Sequence, residues 1–179
     1  GSVRLRRWRM SDARHLVEAL HESVEKMNPF LPWCTENYSM EDASHWLANQ
    51  SHAWDSGESY TFCIEDLEEG HVLGCCALDD VDHNHRNAEL GYWVRTGATG
   101  HGVGTTAADM LVRFGLKQLD LIRIELIICV QNRASVRVAR KLGAVREGRH
   151  RNRLIIHGTP RDAWIYSIIP GDLNEDDVP

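Results

Sequence analysis

Apolar and polar positions recur along this chain with two different periods, and the places where the period changes mark its elements. VRLRRW (3–8) alternates with period two and predicts a strand. SDARHLVEALHESVEKM shifts to helical spacing, with Leu16, Ala19, Leu20 and Val24 on one face behind Ser11 as a candidate N-cap. After the Pro-punctuated loop NPFLPW, SMEDASHWLANQSHAW predicts a second helix in which Ser39 and Asp42 form a capping-box variant; Ala43, Trp46, Leu47, Gln50 and Trp54 follow at helical spacing. YTFCIED, HVLGCCALDD and AELGYWVR, parted by LEEG and VDHNHRN, read as three strands in a meander. TTAADMLVRFGLKQL is a third helix that turns Ala107, Leu111 and Phe114 inward, and LIRIELIICV alternates over Ile122, Ile124, Leu126, Ile128 and Val130. NRASVRVARKLG is an amphipathic helix closed by Gly143, with Val136, Val138, Ala139 and Leu142 opposite Arg133, Arg137, Arg140 and Lys141. RNRLIIHGTPRDAWIYSII is a hairpin around His157 to Pro160, and residues 170–179 are an acidic, flexible tail.

Composition narrows the classes of function. A chain of 179 residues, 42% hydrophobic and without a Pro/Gly/Ser-rich linker, predicts one domain over 1–179, with Gly1-Ser2 read as a tag remnant. The net charge of −6 and the lack of a basic run interleaved with aromatics argue against nucleic acid as a partner. No run approaches a membrane span and no apolar signal core opens the chain, so no membrane partner is expected. The five cysteines are odd in number and lack zinc spacing; four lie in apolar, strand-like runs, as expected of buried thiols in a reducing, cytoplasmic compartment. The His/Asp-rich stretch 79–87 also lacks metal-ligand spacing and reads as a solvated turn, so no metal site is expected.

The least ordinary stretch is VRTGATGHGVGTTAADML, where four glycines fall between Gly97 and Gly104 and lead into a helix. It lacks the Lys-Ser/Thr of a nucleoside-triphosphate loop, and Thr105 stands where a dinucleotide fold needs its third glycine. What remains is general: glycines let backbone N–H groups converge and a helix N-terminus adds its dipole, which together suit an anion such as a pyrophosphate. A plain glycine-rich turn without a ligand is the alternative.

With this loop after its fourth strand, the order of elements resembles the GNAT superfamily of N-acetyltransferases over nearly the whole chain. The family pattern Gln/Arg-x-x-Gly-x-Gly/Ala is matched by Thr99-Gly100-His101-Gly102-Val103-Gly104 with Thr in the leading position, and NRASVRVARKLGAVREG resembles a second family motif. PFLPW, ELGYWV and GTPRDAWIYSI are similar to the RimJ/RimL branch of protein N-terminal acetyltransferases. The resemblance implies an α/β (α+β) fold with a mixed, mostly antiparallel sheet of about seven strands flanked by helices. It implies acetyl-CoA as cosubstrate, held by Trp93, Val94 and Arg95 on the preceding strand, by Gly100, His101, Gly102, Val103, Gly104 and Thr105 in the loop, and by Asn132 and Arg140 further on.

The implied chemistry is attack of a neutral amine on an acetyl thioester through an oxyanion, with CoA thiolate leaving; it needs a base and a proton donor. Glu89, on the opposite strand face from Leu90, Tyr92 and Val94, is the candidate base, with a solvated strand carboxylate as its bland alternative and His101 as a rival. Ser135, at the start of its helix, is the candidate acid, and Asn132 doubles as a candidate N-cap. Trp33, Tyr38, Asn152 and His157 are candidate acceptor-binding residues, with Trp54 beside them. The expected acceptor is the N-terminal α-amine of a protein or peptide. A small amine (polyamine, amino acid or antibiotic-like) and a non-catalytic acetyl-CoA-binding module are the alternatives, and the resemblance adds a possible homodimer.

Overall fold

The computed structural model describes residues 2–173, so Gly1 of the expected tag remnant and residues 174–179 of the expected tail lie outside the described residues. Seven strands build one sheet in the order β1-β2-β3-β4-β5-β7-β6. They are β1 (Val3–Arg7), β2 (Tyr60–Asp66), β3 (Val72–Asp82), β4 (Asn87–Val94), β5 (Arg123–Cys129), β6 (Val145–Ile156) and β7 (Thr159–Ile168). Every neighbouring pair is antiparallel except β4–β5, which is parallel. The helices are α1 (Ala13–Met27), α2 (Met40–Ser56), α3 (Val103–Gln118) and α4 (Arg133–Lys141).

Period-two alternation divides the strand residues between two cores. Cys76, Leu78, Ala88, Leu90, Ile124, Leu126 and Ile128 point to the face covered by α3 and pack with Ala107, Leu111 and Val112; Ala139 of α4 joins them. Cys75 and Trp93 point the other way and pack with Leu16, Leu20, Ala43 and Leu47 of α1 and α2. β4 therefore sits in mid-sheet with one face toward each helical layer. The five cysteines are all buried thiols. No helix among the described residues is long and apolar enough to cross a membrane.

The predicted elements form, with local departures. Ser39 and Asp42 make the predicted capping box at α2: the Asp42 amide donates to Ser39 Oγ at 3.1 Å and the Ser39 amide to Asp42 Oδ2 at 2.8 Å. Ser11 does not cap α1. The chain enters through a 3₁₀ turn, Met10–Asp12, and Asp12 occupies the N-cap position. Ile122 is 48% exposed because β5 starts only at Arg123, and Phe114 is half-buried in a cluster with Trp54, Tyr60 and Phe62. Trp54, which also carries the Arg7 guanidinium 4.6 Å from its ring centroid, is part of this packing. Pro170–Asp172, expected to be flexible, form a 3₁₀ turn in which Asp172 accepts from the Ile169 amide at 2.9 Å.

Beneath α1 a charged network ties the first strand to the helix. Arg6 donates to Asp12 at 2.7 Å and to Glu65 at 2.7 Å, while Arg4 bonds the other Glu65 oxygen; both carboxylates are buried. Burial pushes the Asp12 carboxyl up, but the Arg6 guanidinium and the Arg9 amide outweigh it and hold it below its ordinary value. A folded-state pKa lowered in this way stabilises the protein above the unfolded value, and that stability is lost as pH falls through the folded one. Asp12→Ala, which removes one of the two carboxylates that hold the half-buried Arg6 guanidinium, is expected to cost about 3 kcal/mol at neutral pH. Urea melts at several pH values check this: the gap from wild type closes in acid, and a gap that does not depend on pH contradicts the assignment.

Candidate functional site

The site begins with a gap in the sheet. β4 pairs with β5 only at Asn87↔Arg123, Ala88↔Ile124 and Glu89↔Glu125. Beyond that point β4 stays bonded to β3 through Val94↔Gly74, and β5 stays bonded to β7 through Cys129↔Ala163, so the two strands diverge while each is held by its other neighbour. The edge of Leu90–Val94 that faces this wedge has no strand partner among the described residues. Its N–H and C=O groups form a template for an extended, hydrogen-bonding ligand.

The glycine loop lies at the mouth of the wedge, where β4 ends at Val94. Gly102 is the N-cap of α3 with φ +84°, and no side chain caps the helix. The N–H groups of Val103, Gly104 and Thr105, which open the helix, have no intrahelical acceptor and point out along the positive end of its dipole. A Cβ built on Gly102 meets nothing within 4 Å, so glycine here serves a positive φ and leaves the approach clear. Gly104 is needed for a different reason: a Cβ there would stand 3.3 Å from Val94 Cγ2 and 3.5 Å from the Tyr92 ring. His101 is exposed, Val103 is buried, and Thr99 Oγ1 turns back to donate to the Thr96 carbonyl at 2.8 Å.

α1 braces this loop from behind. Glu22 accepts from the Gly97 amide at 2.7 Å and from the Arg95 guanidinium, and Ser23 Oγ accepts from the Thr96 amide at 3.0 Å. Arg95 also donates to the Val72 carbonyl at 3.2 Å, so its head group is engaged with α1 and β3. These bonds lower the Glu22 carboxyl, the Arg95 contact most of all. No spacing marks Glu22 or Ser23 as loop supports, since both are ordinary residues of an amphipathic helix. The Trp93 indole is buried in the α1/α2 core, so at that position the wedge meets backbone only.

Glu89 lies at the last paired position, half-buried, on the β4 face that points toward α1 and α2. Burial raises its carboxyl; Arg153 opposes this, and Asp80, Asp79 and Glu125 add to it. The register sets Asp79 directly across β3 and Glu125 directly across β5, giving a row of three carboxylates along the sheet. Asp79 is itself raised by burial despite being exposed on one side, and it accepts from Ser59 Oγ at 2.6 Å. Asp79, Asp80 and Arg153 were not among the sequence candidates; the first two fall in a stretch that reads as a strand end and turn, the last in a hairpin arm.

On the opposite face, α4 starts at Asn132, whose Oδ1 accepts from the Ser135 amide at 3.1 Å. Asn132 thus is the N-cap, and the Ser135 hydroxyl is left beside the buried Tyr92 phenol. Arg140 sits in the last turn of α4, exposed on its polar face. The acceptor candidates are spread out. Trp33 is 48% exposed and lies tilted against half-buried Tyr38, ring centroids 6.3 Å apart, in the α1–α2 connection. Burial, with Asp42 and Cys34, pushes the Tyr38 phenol up to about 12. His157 Nε2 is bonded to the Asn28 carbonyl at 2.9 Å and ties the β6–β7 turn to that connection, whereas Asn152 (φ +51°) sits at a β6 irregularity, its amide donating to Asp162 at 2.9 Å. In the 79–87 stretch, the Asp82 carboxylate takes the Asn84 and His85 amides and the His85 ring, each at 2.8 Å, so its acceptors serve the turn.

Comparison with known proteins agrees with this geometry. YdaF of Bacillus subtilis (strain 168), provisionally named a ribosomal N-acetyltransferase, is 31% identical over 103 residues, a stretch that covers 58% of this chain and 56% of YdaF. Spermidine N(1)-acetyltransferase of Escherichia coli (strain K12) is 28% identical over 162 residues, 90% of this chain and 83% of that protein. Among solved structures, Mycobacterium smegmatis RimJ in complex with CoA-disulfide superposes with a TM-score of 0.90 at 25% identity, covering 98% of this chain and 85% of that one. The family model for the acetyltransferase (GNAT) domain matches residues 2–145, and the chain belongs to that family.

Proposed function

We propose that this protein moves an acetyl group from acetyl-CoA to a primary amine, and that the amine is the N-terminal α-amine of a protein or peptide. The observation that carries this reading is the β4–β5 wedge with an uncapped helix N-terminus at its mouth. An extended pantetheine arm fits the free edge of Leu90–Val94, and a pyrophosphate fits the amides of residues 100 to 105. Acetyl-CoA supplies the acetyl group already activated as a thioester. The chain's own part is to orient the amine and to handle protons. Glu89, raised by burial, accepts the proton of the incoming amine, and the Ser135 hydroxyl, at the start of α4 beside Tyr92, serves as hydrogen-bond donor to the departing sulfur.

The choice of amine follows from a magnitude. At pH 7 an α-amine must give up its proton at about 1 kcal/mol and a lysine side chain at about 4.6 kcal/mol, so a single carboxylate base suits the former. The similarity to YdaF, named for ribosomal N-acetylation, supports the same reading. A small polycationic amine is the second reading, favoured by the row of Asp79, Glu89 and Glu125 and by the similarity to a spermidine acetyltransferase.

The acceptor is tested by competition among peptides with free N-termini, the same peptides N-terminally blocked but retaining an internal lysine, and a panel of polyamines, with the acetyl group located by mass spectrometry. Acetylation of free N-termini is expected; acetylation confined to lysine or to polyamines refutes the proposal. Gly102→Val, which forces a β-branched residue to positive φ, is expected to weaken acetyl-CoA binding at least 10-fold in calorimetry while the fold persists. Unchanged affinity would remove the loop from the site.

Glu89→Gln should lower kcat by about 100-fold at neutral pH. A base works only when ionised, so the wild-type rate falls as pH drops through its raised carboxyl pKa and the gap to the variant narrows in acid. The sign for stability is opposite. A raised folded-state pKa favours folding below the unfolded value, and that contribution is lost as pH rises through the folded one. The Gln variant, which carries no charge, is therefore expected to melt at the same temperature as wild type or higher at neutral pH. A variant that is both less stable and equally active would mark Glu89 as structural.

A further inference from the structure

Tyr92 has no role in the reading above, yet it occupies an unusual position. Its ring packs from β4 against α3, where a side chain on Gly104 would touch it at 3.5 Å. Its hydroxyl oxygen is buried and has no hydrogen-bond partner among the described residues. A buried, unpartnered hydroxyl is destabilising, and phenylalanine would fill the same space without that penalty. The group that bears on this phenol is the Ser135 side chain, close enough to act on it although outside full hydrogen-bonding geometry. Burial otherwise raises the phenol, which keeps it protonated and able to donate.

Ser135 is fixed only through its backbone. Its amide is held by Asn132, at 3.1 Å, on a half-buried turn at the start of α4. No hydrogen bond holds its side chain among the described residues, and a hydroxyl that accepts from another donor has its own hydrogen directed away from that donor. We infer that Tyr92 is a positioning residue for Ser135: its hydroxyl donates to Ser135 Oγ and so directs the serine hydrogen into the wedge. No proton passes through Tyr92; it stays neutral throughout. The inference rests on the assignment of Ser135 as the donor to the leaving sulfur. Because Tyr92 stands on the β4 face opposite Glu89, its role concerns the departing group and not the amine.

Two measurements test it. The first needs no cosubstrate: in protein carrying 13C at tyrosine Cζ, Ser135→Ala is expected to shift the Tyr92 resonance and leave those of Tyr38, Tyr60 and Tyr166 in place. An unmoved Tyr92 resonance overturns the contact. The second is a kinetic cycle over Tyr92→Phe, Ser135→Ala and the double variant. Tyr92→Phe is expected to melt at or above the wild-type temperature, to keep KM for acetyl-CoA, and to lose about 10-fold in kcat. The double variant should be no slower than Ser135→Ala alone. A Tyr92→Phe enzyme with wild-type kcat beside a slowed Ser135→Ala overturns the inference and leaves the role of Ser135 standing. A Ser135→Ala enzyme with wild-type kcat overturns both. Independent, multiplying losses would show that Tyr92 acts without Ser135 and would also overturn it.

Discussion

Parallel pairing between β4 and β5 stops after three residue pairs, and the rest of the site follows from that stop. Backbone groups in a sheet interior normally find partners, and leaving a row of them unpaired carries a penalty of the order of a lost hydrogen bond for each. The strands are kept from closing because each is committed elsewhere, β4 to β3 as far as Val94 and β5 to β7 as far as Cys129. The wedge is thus built into the register of the whole sheet and does not depend on any single side chain. A ligand that pairs with β4 restores what the sheet lacks.

Around the wedge the two faces of β4 divide the chemistry. On one face Glu89 lies within a row of carboxylates, with Arg153 as a nearby cation and Arg123 bonded to Glu125. On the other, Ser135 and Tyr92 meet under α3 and α4. A strand whose side chains alternate by 180° can offer a proton acceptor to one side of a bound thioester and donors to the other, with the reacting carbon between them. In the proposed complex the glycine loop would fix where that thioester lies, and α1 holds the loop through Glu22 and Ser23. Substrate-side and cosubstrate-side elements are therefore mechanically joined, since the helix that covers the Glu89 face also positions the loop.

Much of this was legible in the sequence because it depends on local rules. Helical and strand periods gave the element order, the Ser39–Asp42 box gave the start of α2, and the glycines announced the α3 N-terminus. The order of motifs, more than any one of them, carried the family. What escaped was set by contacts across the fold. The Glu22–Gly97 bond joins residues 75 apart in sequence, and neither end has a distinctive neighbour. VREGRH lies outside the predicted hairpin and becomes strand because β7 supplies its hydrogen bonds. Tyr92 reads as core by alternation, which its ring obeys; only the surroundings of its hydroxyl reveal more. Ser11 failed as a cap because Asp12, one position on, satisfies both the Arg9 amide and the Arg6 guanidinium.

The central claim is that the open edge of β4 and the first amides of α3 receive the cosubstrate together. Hydrogen exchange read at single-residue resolution, with and without acetyl-CoA, tests it most directly. The account predicts slowed exchange within Leu90–Val94 and Gly100–Thr105, with the outer strands β1 and β6 unchanged. Protection that appears elsewhere while both of these segments exchange as in the free protein would contradict it.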